Sequence, residues 1–199
     1  MSTSPTPTQA TIERRAFVAK LLQACPEALV ITGLGSPTYD VFAAGDSARY
    51  FYLWGAMGGT TAMGLGLALA QPERPVLIIT GDGEQLMGLG SLATAAAQRP
   101  ANLSIVVLDN GHFGETGMQR SHTSLGTRLA GVAQACGVSH AQEVFSETEI
   151  PALAQRINAR SGMLLAQVHI RQDDIPRVLP SRDGVYLKNR FREALGFPS

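Results

Sequence analysis

The feature that most constrains the fold is an alternation of short apolar runs with longer stretches of helical periodicity. The apolar runs are rich in β-branched or aromatic residues and end at Gly, Pro or polar positions, as in strands buried on both faces between helices. The predicted strands are Ala28–Thr32, Arg49–Leu53, Pro75–Thr80, Leu103–Leu108 and Met163–Ile170. The predicted helices run from a cap at Thr11 to Ala24, and over Met57–Ala70, Gly88–Gln98, Thr127–Cys136, Glu147–Arg160 and Val185–Leu195. This pattern predicts an α/β fold, a three-layer sandwich with a mainly parallel central sheet.

The length of the chain predicts one domain. Its 199 residues suffice for a full hydrophobic core but leave little room for a second catalytic domain. We predict a single domain over residues 10–199, preceded by a disordered lead of Ser, Thr and Pro over residues 1–9. Charged residues make up 16% of the chain, below the usual ~25%, which indicates that partners cover part of the surface.

Charge and cysteine usage exclude several classes of protein. The formal net charge is +0 and no run of Lys or Arg occurs, so nucleic acid is not an expected partner. The longest weakly polar run, Gly55 to Ala70, is shorter than the roughly 20 apolar residues that span a bilayer, so no membrane segment is expected. Cys25 and Cys136 lack metal-ligand spacing and suit buried thiols in the cytoplasm.

The most informative segment is Gly81-Asp82-Gly83-Glu84, where the predicted strand Pro75–Thr80 ends. Ligands of parallel sheets bind beyond the carboxyl ends of the strands, so this is the expected place for chemistry. A glycine on each side of Asp82 permits a positive φ and leaves bare amides, so the turn can present a carboxylate to a metal and N–H groups to an anion. The same tripeptide also occurs in ordinary turns.

A second polar segment follows the next predicted strand, Leu103–Leu108. A right-handed crossover through the helix Gly88–Gln98 places this strand beside the first, so the two loops should face each other. Asp82 and Asn110, 28 residues apart, then bring a carboxylate and an amide oxygen to one point. Such hard ligands suit Mg²⁺, which completes its octahedron with water and phosphate oxygens. An Asx turn explains Asn110 equally well.

This combination resembles the diphosphate-binding motif of thiamine-diphosphate enzymes, which is GDG followed at a distance by Asn. The resemblance extends over most of Ala28 to Ile170. It implies thiamine diphosphate and Mg²⁺ as cofactors. It also implies that Asp82, Asn110 and the main-chain carbonyl of His112 are the metal ligands.

The resemblance further implies that Gly83, Glu84 and Gly114 give backbone amides to the diphosphate. Glu84 departs from the family pattern, because Ser or Ala is commoner at its position. We expect its carboxylate to point outward, away from the diphosphate.

A second match lies upstream, in Leu53-Trp54-Gly55-Ala56-Met57-Gly58. It is similar to the stretch that holds the aminopyrimidine ring, with the Gly55 carbonyl on the exocyclic amine and Met57 as the wedge that bends the cofactor. Taken alone, Met57 reads as an ordinary core residue. We expect ligand contact with the bare backbone at Gly55 and Gly58, and tight packing at Gly64 and Gly66. The cofactor-binding residues implied by the resemblance are Gly55, Met57, Gly81, Asp82, Gly83, Glu84, Asn110, His112, Phe113 and Gly114.

Decarboxylases of this family need a second domain, which carries the glutamate that protonates the pyrimidine ring. The family fold occupies this whole chain, so the resemblance implies a β subunit whose active site is completed by a separate pyrimidine-domain α subunit. The stretch Leu108–Gln119 is most similar to sulfopyruvate decarboxylase β subunits and to phosphonopyruvate decarboxylases. It implies non-oxidative loss of CO₂ from an anionic 2-oxo acid, with the cofactor as electron sink.

The substrate's second anionic group needs hydrogen-bond donors. The loop after the metal site offers His112, Arg120, His122 and Thr123. Arg120 and His122 could equally be solvated loop residues or contacts to the partner chain. His140, expected in a polar turn, and His169, expected in a strand, are assigned no role.

Other functions remain open at this stage. A carboligase or a subunit of a 2-oxo acid dehydrogenase would use the same carbanion, and a non-catalytic assembly subunit could bind the cofactor without reaction. A Rossmann domain is disfavoured, because Gly33-Leu34-Gly35 lacks the third glycine and Thr38 stands there instead. No GxxxxGK[ST] occurs, so a P-loop is excluded.

Overall fold

The computed structural model describes residues 10–198, so the predicted disordered lead at residues 1–9 lies outside the described residues. The strands are β1 Leu29–Thr32, β2 Tyr50–Tyr52, β3 Val76–Gly81, β4 Leu103–Asp109, β5 His112–Phe113, β6 Gln119–Arg120, β7 His140–Val144 and β8 Leu164–His169. The helices are α1 Arg14–Ala24, α2 Ser36–Ala43, α3 Thr60–Ala70, α4 Asp82–Met87, α5 Ser91–Gln98, α6 Leu129–Ala135, α7 Ile150–Ala159 and α8 Gly184–Ala194.

Six strands form one parallel sheet in the order β2-β1-β3-β4-β8-β7. The two remaining strands, β5 and β6, pair antiparallel in a small hairpin after β4. All five strands predicted from apolar runs are confirmed to within about two residues at each end, as expected for element boundaries. The sheet is therefore the parallel α/β sheet that the sequence predicts.

The sixth strand of the sheet, β7, has no counterpart among the predicted strands. Its sequence, His-Ala-Gln-Glu-Val, is polar because β7 lies at the edge of the sheet and four of its five residues are only partly buried. The expectation that His140 lies in a polar turn is wrong, since it is the first residue of this strand. An edge strand with one covered face leaves no apolar run to detect.

Two hydrophobic clusters show the three layers. Side chains of α1, α2 and α7 pack on one face of the sheet, against Val30, Leu77, Ile79 and Val106. Side chains of α3, α5 and α6 pack on the other face, against Ile31, Ile78, Ile105 and other strand residues. Neighbouring residues of each strand alternate between the two clusters, which is the period of two that the pleat imposes. Within residues 10–198, no helix is long and apolar enough to cross a membrane.

Several helix boundaries differ from the predicted ones. The first helix is capped by Glu13 instead of Thr11, since the Glu13 carboxylate accepts from the backbone N–H groups of Arg15 at 3.0 Å and Ala16 at 2.7 Å. The helix predicted over Met57–Ala70 is α3, which begins only at Thr60, because Gly58 has a φ of +88°. The predicted helix Gly88–Gln98 is confirmed as α5, which begins three residues later at Ser91. Two helices were not predicted: α4, which precedes α5, and α2, which starts after Gly35 at a φ of +83°.

Two glycines of α3 give opposite outcomes for the expected tight packing. A Cβ added at Gly64 would lie 2.3 Å from Cδ1 and 2.8 Å from Cγ1 of Ile78, so the absence of a side chain lets α3 lie directly on the sheet. The same expectation is wrong for Gly66, where an added Cβ would meet nothing within 4 Å. Gly64 is therefore needed for packing, and Gly66 is not.

These two glycines provide a matched test of helix packing. We expect Gly66→Ala to raise the free energy of unfolding by roughly 0.5–1 kcal/mol, because alanine favours an exposed helical position. We expect Gly64→Ala to lower it by roughly 1–3 kcal/mol, because the new methyl group must displace Ile78. Urea denaturation of both variants measures the difference, and equal effects in the two would contradict this account of α3.

Candidate cofactor site

The candidate site lies where β3 and β4 end side by side. Their parallel register runs from Val76 opposite Leu103 to Gly81 opposite Leu108, so α4 and the loop after β4 start at the same edge of the sheet. A cavity lies between these two segments. It is lined by nine of the ten predicted cofactor residues, Met57, Gly81, Asp82, Gly83, Glu84, Asn110, His112, Phe113 and Gly114, together with Arg14, Leu34, Ser36, Pro37, Leu108, Glu115, Thr116 and Ile170.

Asp82 is the first residue of α4 and is 3% exposed. Its carboxylate accepts from the hydroxyl of Ser121 at 2.5 Å, and the hydroxyl of Thr123, whose one proton is donated to Asp109, lies 3.3 Å from the same carboxylate. No lysine or arginine among the described residues forms an ion pair with it. Burial raises the pKa of Asp82 to about 6, and the nearby Asp109 carboxylate adds to the rise. The site therefore holds a buried carboxylate that lacks a counter-ion.

Asp109 is the last residue of β4 and lies close to Asp82. It accepts from Thr123 at 2.7 Å, from the Gln167 amide at 2.7 Å and from the backbone N–H of Gly111 at 2.9 Å. Thr123, predicted as a substrate donor, thus lies between the two acids. Sequence reasoning gave no role to Ser121, Asp109 or Gln167, because only the folded chain brings them together.

Asn110 and His112 shape the loop after β4. The Asn110 side-chain oxygen accepts from the backbone N–H of His112 at 2.9 Å, so the Asx turn that the sequence allowed is present. The His112 ring nitrogen Nδ1 lies 2.9 Å from the Asn110 carbonyl and 2.8 Å from the Gln172 side-chain nitrogen. These contacts leave a second lone pair on the amide oxygen of Asn110 for a metal.

The two glycines around Asp82 do not use positive φ. Gly81 has a φ of −103°, and Gly83 is not among the positive-φ residues, because a helix starts here instead of a turn. Gly83 is needed for a different reason, since an added Cβ would lie 2.7 Å from the Phe113 ring. The N-cap residue Gly81 makes no side-chain hydrogen bond, and the backbone N–H groups of Asp82 and Gly83 face the Asp82 carboxylate.

The expectation that Glu84 points outward is wrong. Its carboxylate turns into the protein, where it accepts from the hydroxyl of Thr80 and from the backbone N–H of Thr60 at 3.3 Å. The absence of a side chain at Gly33 makes room for it, since an added Cβ would lie 1.7 Å from Oε2 of Glu84. Burial raises the pKa of this carboxyl group. The side chain therefore links α4 to β3 and to α3.

The upstream glycine-rich stretch is placed only partly as expected. Met57 lines the cavity and is 40% exposed, so it is not a core residue. Gly55 has a φ of +73° and lies outside the cavity. The bare backbone of Gly58 faces protein, since an added Cβ would lie 2.8 Å from the amide nitrogen of Gly88. The backbone of Gly58 therefore packs against Gly88 at the end of α4, and the expected contact with a ligand at Gly58 is wrong.

Arg120 and His122 lie outside the main cavity. Arg120 is exposed, and its guanidinium donates to the Ser124 hydroxyl at 3.2 Å and the Ser124 carbonyl at 2.5 Å. His122 is exposed and meets Phe113 edge to face, with ring centroids 6.2 Å apart. It lines a second hollow, which shares Gly83 and Phe113 with the main cavity. Of the four predicted substrate donors, His112, Arg120, His122 and Thr123, only His112 therefore lines the main cavity.

The donor set fits a magnesium ion. Asp82 offers a carboxylate, Asn110 an amide oxygen and His112 a main-chain carbonyl, and hard oxygen ligands of this kind suit Mg²⁺. No cluster of three His, Cys, Asp or Glu side chains that could hold a metal occurs in the described part of the chain. A single carboxylate is nevertheless compatible with Mg²⁺, which takes further oxygens from water and phosphate.

Comparison with known families now identifies the fold and its cofactor. Residues 38–173 match the family model described as thiamine pyrophosphate enzyme, C-terminal TPP binding domain. The chain belongs to this family. The resemblance noted from Asp82 and Asn110 is confirmed, and so is thiamine diphosphate as the cofactor of the family.

Curated relatives of the chain carry names that are more specific than the family description. The chain is 43% identical over 126 residues to the β subunit of sulfopyruvate decarboxylase from Methanothermobacter thermautotrophicus, covering 63% of this chain and 67% of the relative. It is 30% identical over 188 residues to the corresponding β subunit from Methanococcus maripaludis, covering 92% of this chain and 98% of the relative.

It is also 36% identical over 193 residues to phosphonopyruvate decarboxylase from Streptomyces hygroscopicus, covering 94% of this chain but 47% of the relative. The chain thus spans about half the length of that enzyme.

A solved structure agrees on the fold. The benzoylformate decarboxylase from Polynucleobacter necessarius superposes with a TM-score of 0.72 at 19% identity, over 87% of this chain and 36% of that chain. At this identity the likeness concerns the fold alone. The predicted α/β sandwich of thiamine-diphosphate enzymes is confirmed.

The buried Asp82 predicts how the metal-free protein responds to pH. The folded pKa of about 6 lies above the ordinary value of 3.8, so the stability from this group is complete below about pH 4 and is lost as pH rises through about 6. In EDTA at pH 7.5 we expect Asp82→Asn to exceed the wild type by roughly 1–3 kcal/mol in unfolding free energy, because asparagine stays neutral.

Thermal and urea denaturation at pH 4 and pH 7.5 measure this effect. Asp174→Asn, which neutralises an exposed carboxylate, is the control and should change little. With Mg²⁺ and thiamine diphosphate added, the order should reverse, because ligand stabilises only the wild type. Identical pH profiles for wild type and Asp82→Asn in EDTA would disprove the assigned environment of Asp82.

Proposed function

We propose that this chain is the β subunit of a split thiamine-diphosphate-dependent 2-oxo acid decarboxylase that acts on sulfopyruvate or phosphonopyruvate. The carboxy-lyase reaction releases CO₂ without oxidation and yields an aldehyde. The observation that carries the proposal is the cavity in which Asp82, Asn110 and His112 meet at the ends of β3 and β4. The relatives whose names specify these two substrates supply the substrate class.

The residues of the cavity divide the work of holding the cofactor. Asp82, Asn110 and the His112 carbonyl would bind Mg²⁺, and backbone N–H groups at Gly83, Glu84 and Gly114 would donate to the diphosphate. Met57, which lines the cavity, would contact the cofactor, and the carbonyl of Gly55, outside the cavity, would accept from its amine. When bound, thiamine diphosphate supplies the electron sink for the carbanion left by CO₂. Ser121 holds the Asp82 carboxylate in place for the metal.

The proton-relay glutamate has to come from a partner. Three carboxylates of this chain line the cavity, and each is already engaged. Asp82 is a metal ligand in this proposal, Glu84 binds Thr80 and Thr60, and Glu115 pairs with Arg177 at 3.0 Å. A pyrimidine-domain α subunit would bring the missing group to the open side of the cavity.

The comparisons support a separate α subunit. The match covers 98% of a relative named as a β subunit but 47% of the longer phosphonopyruvate decarboxylase. Exposed methionines, Met57 in the main cavity and Met87 in the adjoining hollow, offer an adaptable apolar surface for that subunit. We place the activity in the cytoplasm, where the free thiols Cys25 and Cys136 remain reduced.

The second anionic group of the substrate is recognised by donors near the cavity mouth. His112 lines the cavity, while Arg120 and His122 stand beside it on the loop after β4. Arg120 has an exposed guanidinium, which can bind a sulfonate or phosphonate with two N–H groups. The two protein contacts of Arg120, both to Ser124, orient the guanidinium.

Product analysis of the co-expressed subunits tests this function. Sulfopyruvate and phosphonopyruvate should each be assayed for CO₂ and free aldehyde in the presence of Mg²⁺ and thiamine diphosphate. An aldehyde from either substrate is the expected result. A joined acyloin would indicate a carboligase, a reduced acceptor would indicate a dehydrogenase component, and bound cofactor without turnover would indicate an assembly subunit.

Arg120 gives a more specific prediction for the substrate. We expect Arg120→Ala to raise KM about tenfold, because a charge-assisted pair of hydrogen bonds to the anion is lost. The control is Arg99→Ala, which removes another exposed arginine at the end of α5 and should leave KM unchanged. Unchanged KM and turnover in Arg120→Ala would remove Arg120 from the substrate site.

A further inference from the structure

A buried arginine, Arg14, lines the cofactor cavity. It is the first residue of α1 and is 6% exposed. Among the described residues that line this cavity, Arg14 is the one lysine or arginine. It lies in the same cavity as Asp82 and Asn110, the proposed metal ligands. A cation is thus built into a site whose other charged side chains are carboxylates.

The charge of Arg14 is only partly balanced by protein. Its Nη1 donates to Oδ2 of Asp40 on α2 at 2.6 Å, and Oδ1 of the same carboxylate accepts from Nε of Arg15 at 2.9 Å. The neighbouring Glu13 carboxylate is occupied by backbone N–H groups at the start of α1. Two guanidinium groups therefore share Asp40, and no other carboxylate in residues 10–198 forms an ion pair with Arg14.

Most N–H donors of Arg14 have no described acceptor. A guanidinium carries five N–H groups, and within residues 10–198 the bond to Asp40 is the one that Arg14 makes. Its Nε and Nη2 are not among the fully buried atoms without a partner in that part of the chain. The Arg14 side chain is 7% exposed and lines the cavity. Burying a cation with free donors is unfavourable unless an anion completes its environment.

The position of Arg14 favours the diphosphate as that anion. Arg14 shares the cavity with Leu108 and Ile170, which are buried, whereas Met57 and Thr116 are exposed and mark the open side. In the proposed complex the reacting ring would face the partner subunit on the open side. The diphosphate would then lie on the enclosed side, near Asp82, which is buried in the same cavity.

We propose that Arg14 is a diphosphate-binding residue, whose free N–H groups donate to phosphate oxygens of the cofactor while Asp40 fixes the guanidinium. Arg15, which also binds Asp40, does not line the cavity and instead donates to the Pro176 carbonyl at 2.8 Å. The two adjacent arginines thus share one carboxylate but differ in their access to the ligand. This inference rests on the proposed cofactor site.

The Arg14 and Arg15 variants test the proposal directly. Calorimetry on the complex with the partner subunit should compare wild type, Arg14→Gln and Arg15→Gln, with thiamine diphosphate and with inorganic pyrophosphate as probes, each with Mg²⁺. We expect Arg14→Gln to raise Kd about tenfold or more for both probes, because a charge-assisted hydrogen bond is lost. Arg15→Gln, which loses the same kind of bond to Asp40, should change Kd less than about twofold.

The other outcomes are distinguishable. An unchanged Kd for both probes in Arg14→Gln would overturn the proposal, and so would an unchanged Kd with a raised KM for the 2-oxo acid, since Arg14 would then bind substrate. If the wild type fails to bind thiamine diphosphate, the proposed function itself fails. Should Arg14→Gln not fold, Arg14→Lys against Arg15→Lys gives the same comparison, because lysine keeps the charge but loses the planar fork.

Discussion

The parallel pairing of β3 with β4 is the constraint on which the site depends. Six residue pairs, ending at Gly81 opposite Leu108, fix the two strand ends at one edge of the sheet. Asp82 and Asn110 follow these ends directly, so their meeting is a consequence of strand register. A slip of one residue would turn each side chain to the other face of the sheet. At the same edge, the inward Glu84 carboxylate accepts from Thr80 and Thr60 and so links α4 to β3 and α3.

The charges of the cavity are complementary to a metal diphosphate. Asp82 is a buried carboxylate held by the Ser121 hydroxyl and close to Asp109, an arrangement that needs a cation. Arg14 is a buried cation with free donors, an arrangement that needs an anion. A divalent ion bound to a diphosphate satisfies both at once. The same cavity is open at Met57, where the proposed partner subunit would complete it.

The sequence predicted those parts of the fold and site that depend on local pattern. Strands buried on both faces are apolar throughout and were found, whereas β7 at the sheet edge is polar and was not. Asp82 and Asn110 were found because strand ends can be located. The predicted outward direction of the Glu84 side chain was wrong, because a helix and not a turn follows Gly81. Arg14 was missed because its environment depends on Asp40, which lies 26 residues away.

The central claim is that Asp82 anchors a metal-bound thiamine diphosphate. Calorimetric titration of the cofactor into the co-expressed subunits, in Mg²⁺ and in EDTA, for wild type and Asp82→Ala, tests it most directly. The account predicts binding that requires Mg²⁺ and is lost in Asp82→Ala. Binding that is unchanged in EDTA and in Asp82→Ala would contradict the claim and would place the cofactor elsewhere in the assembly.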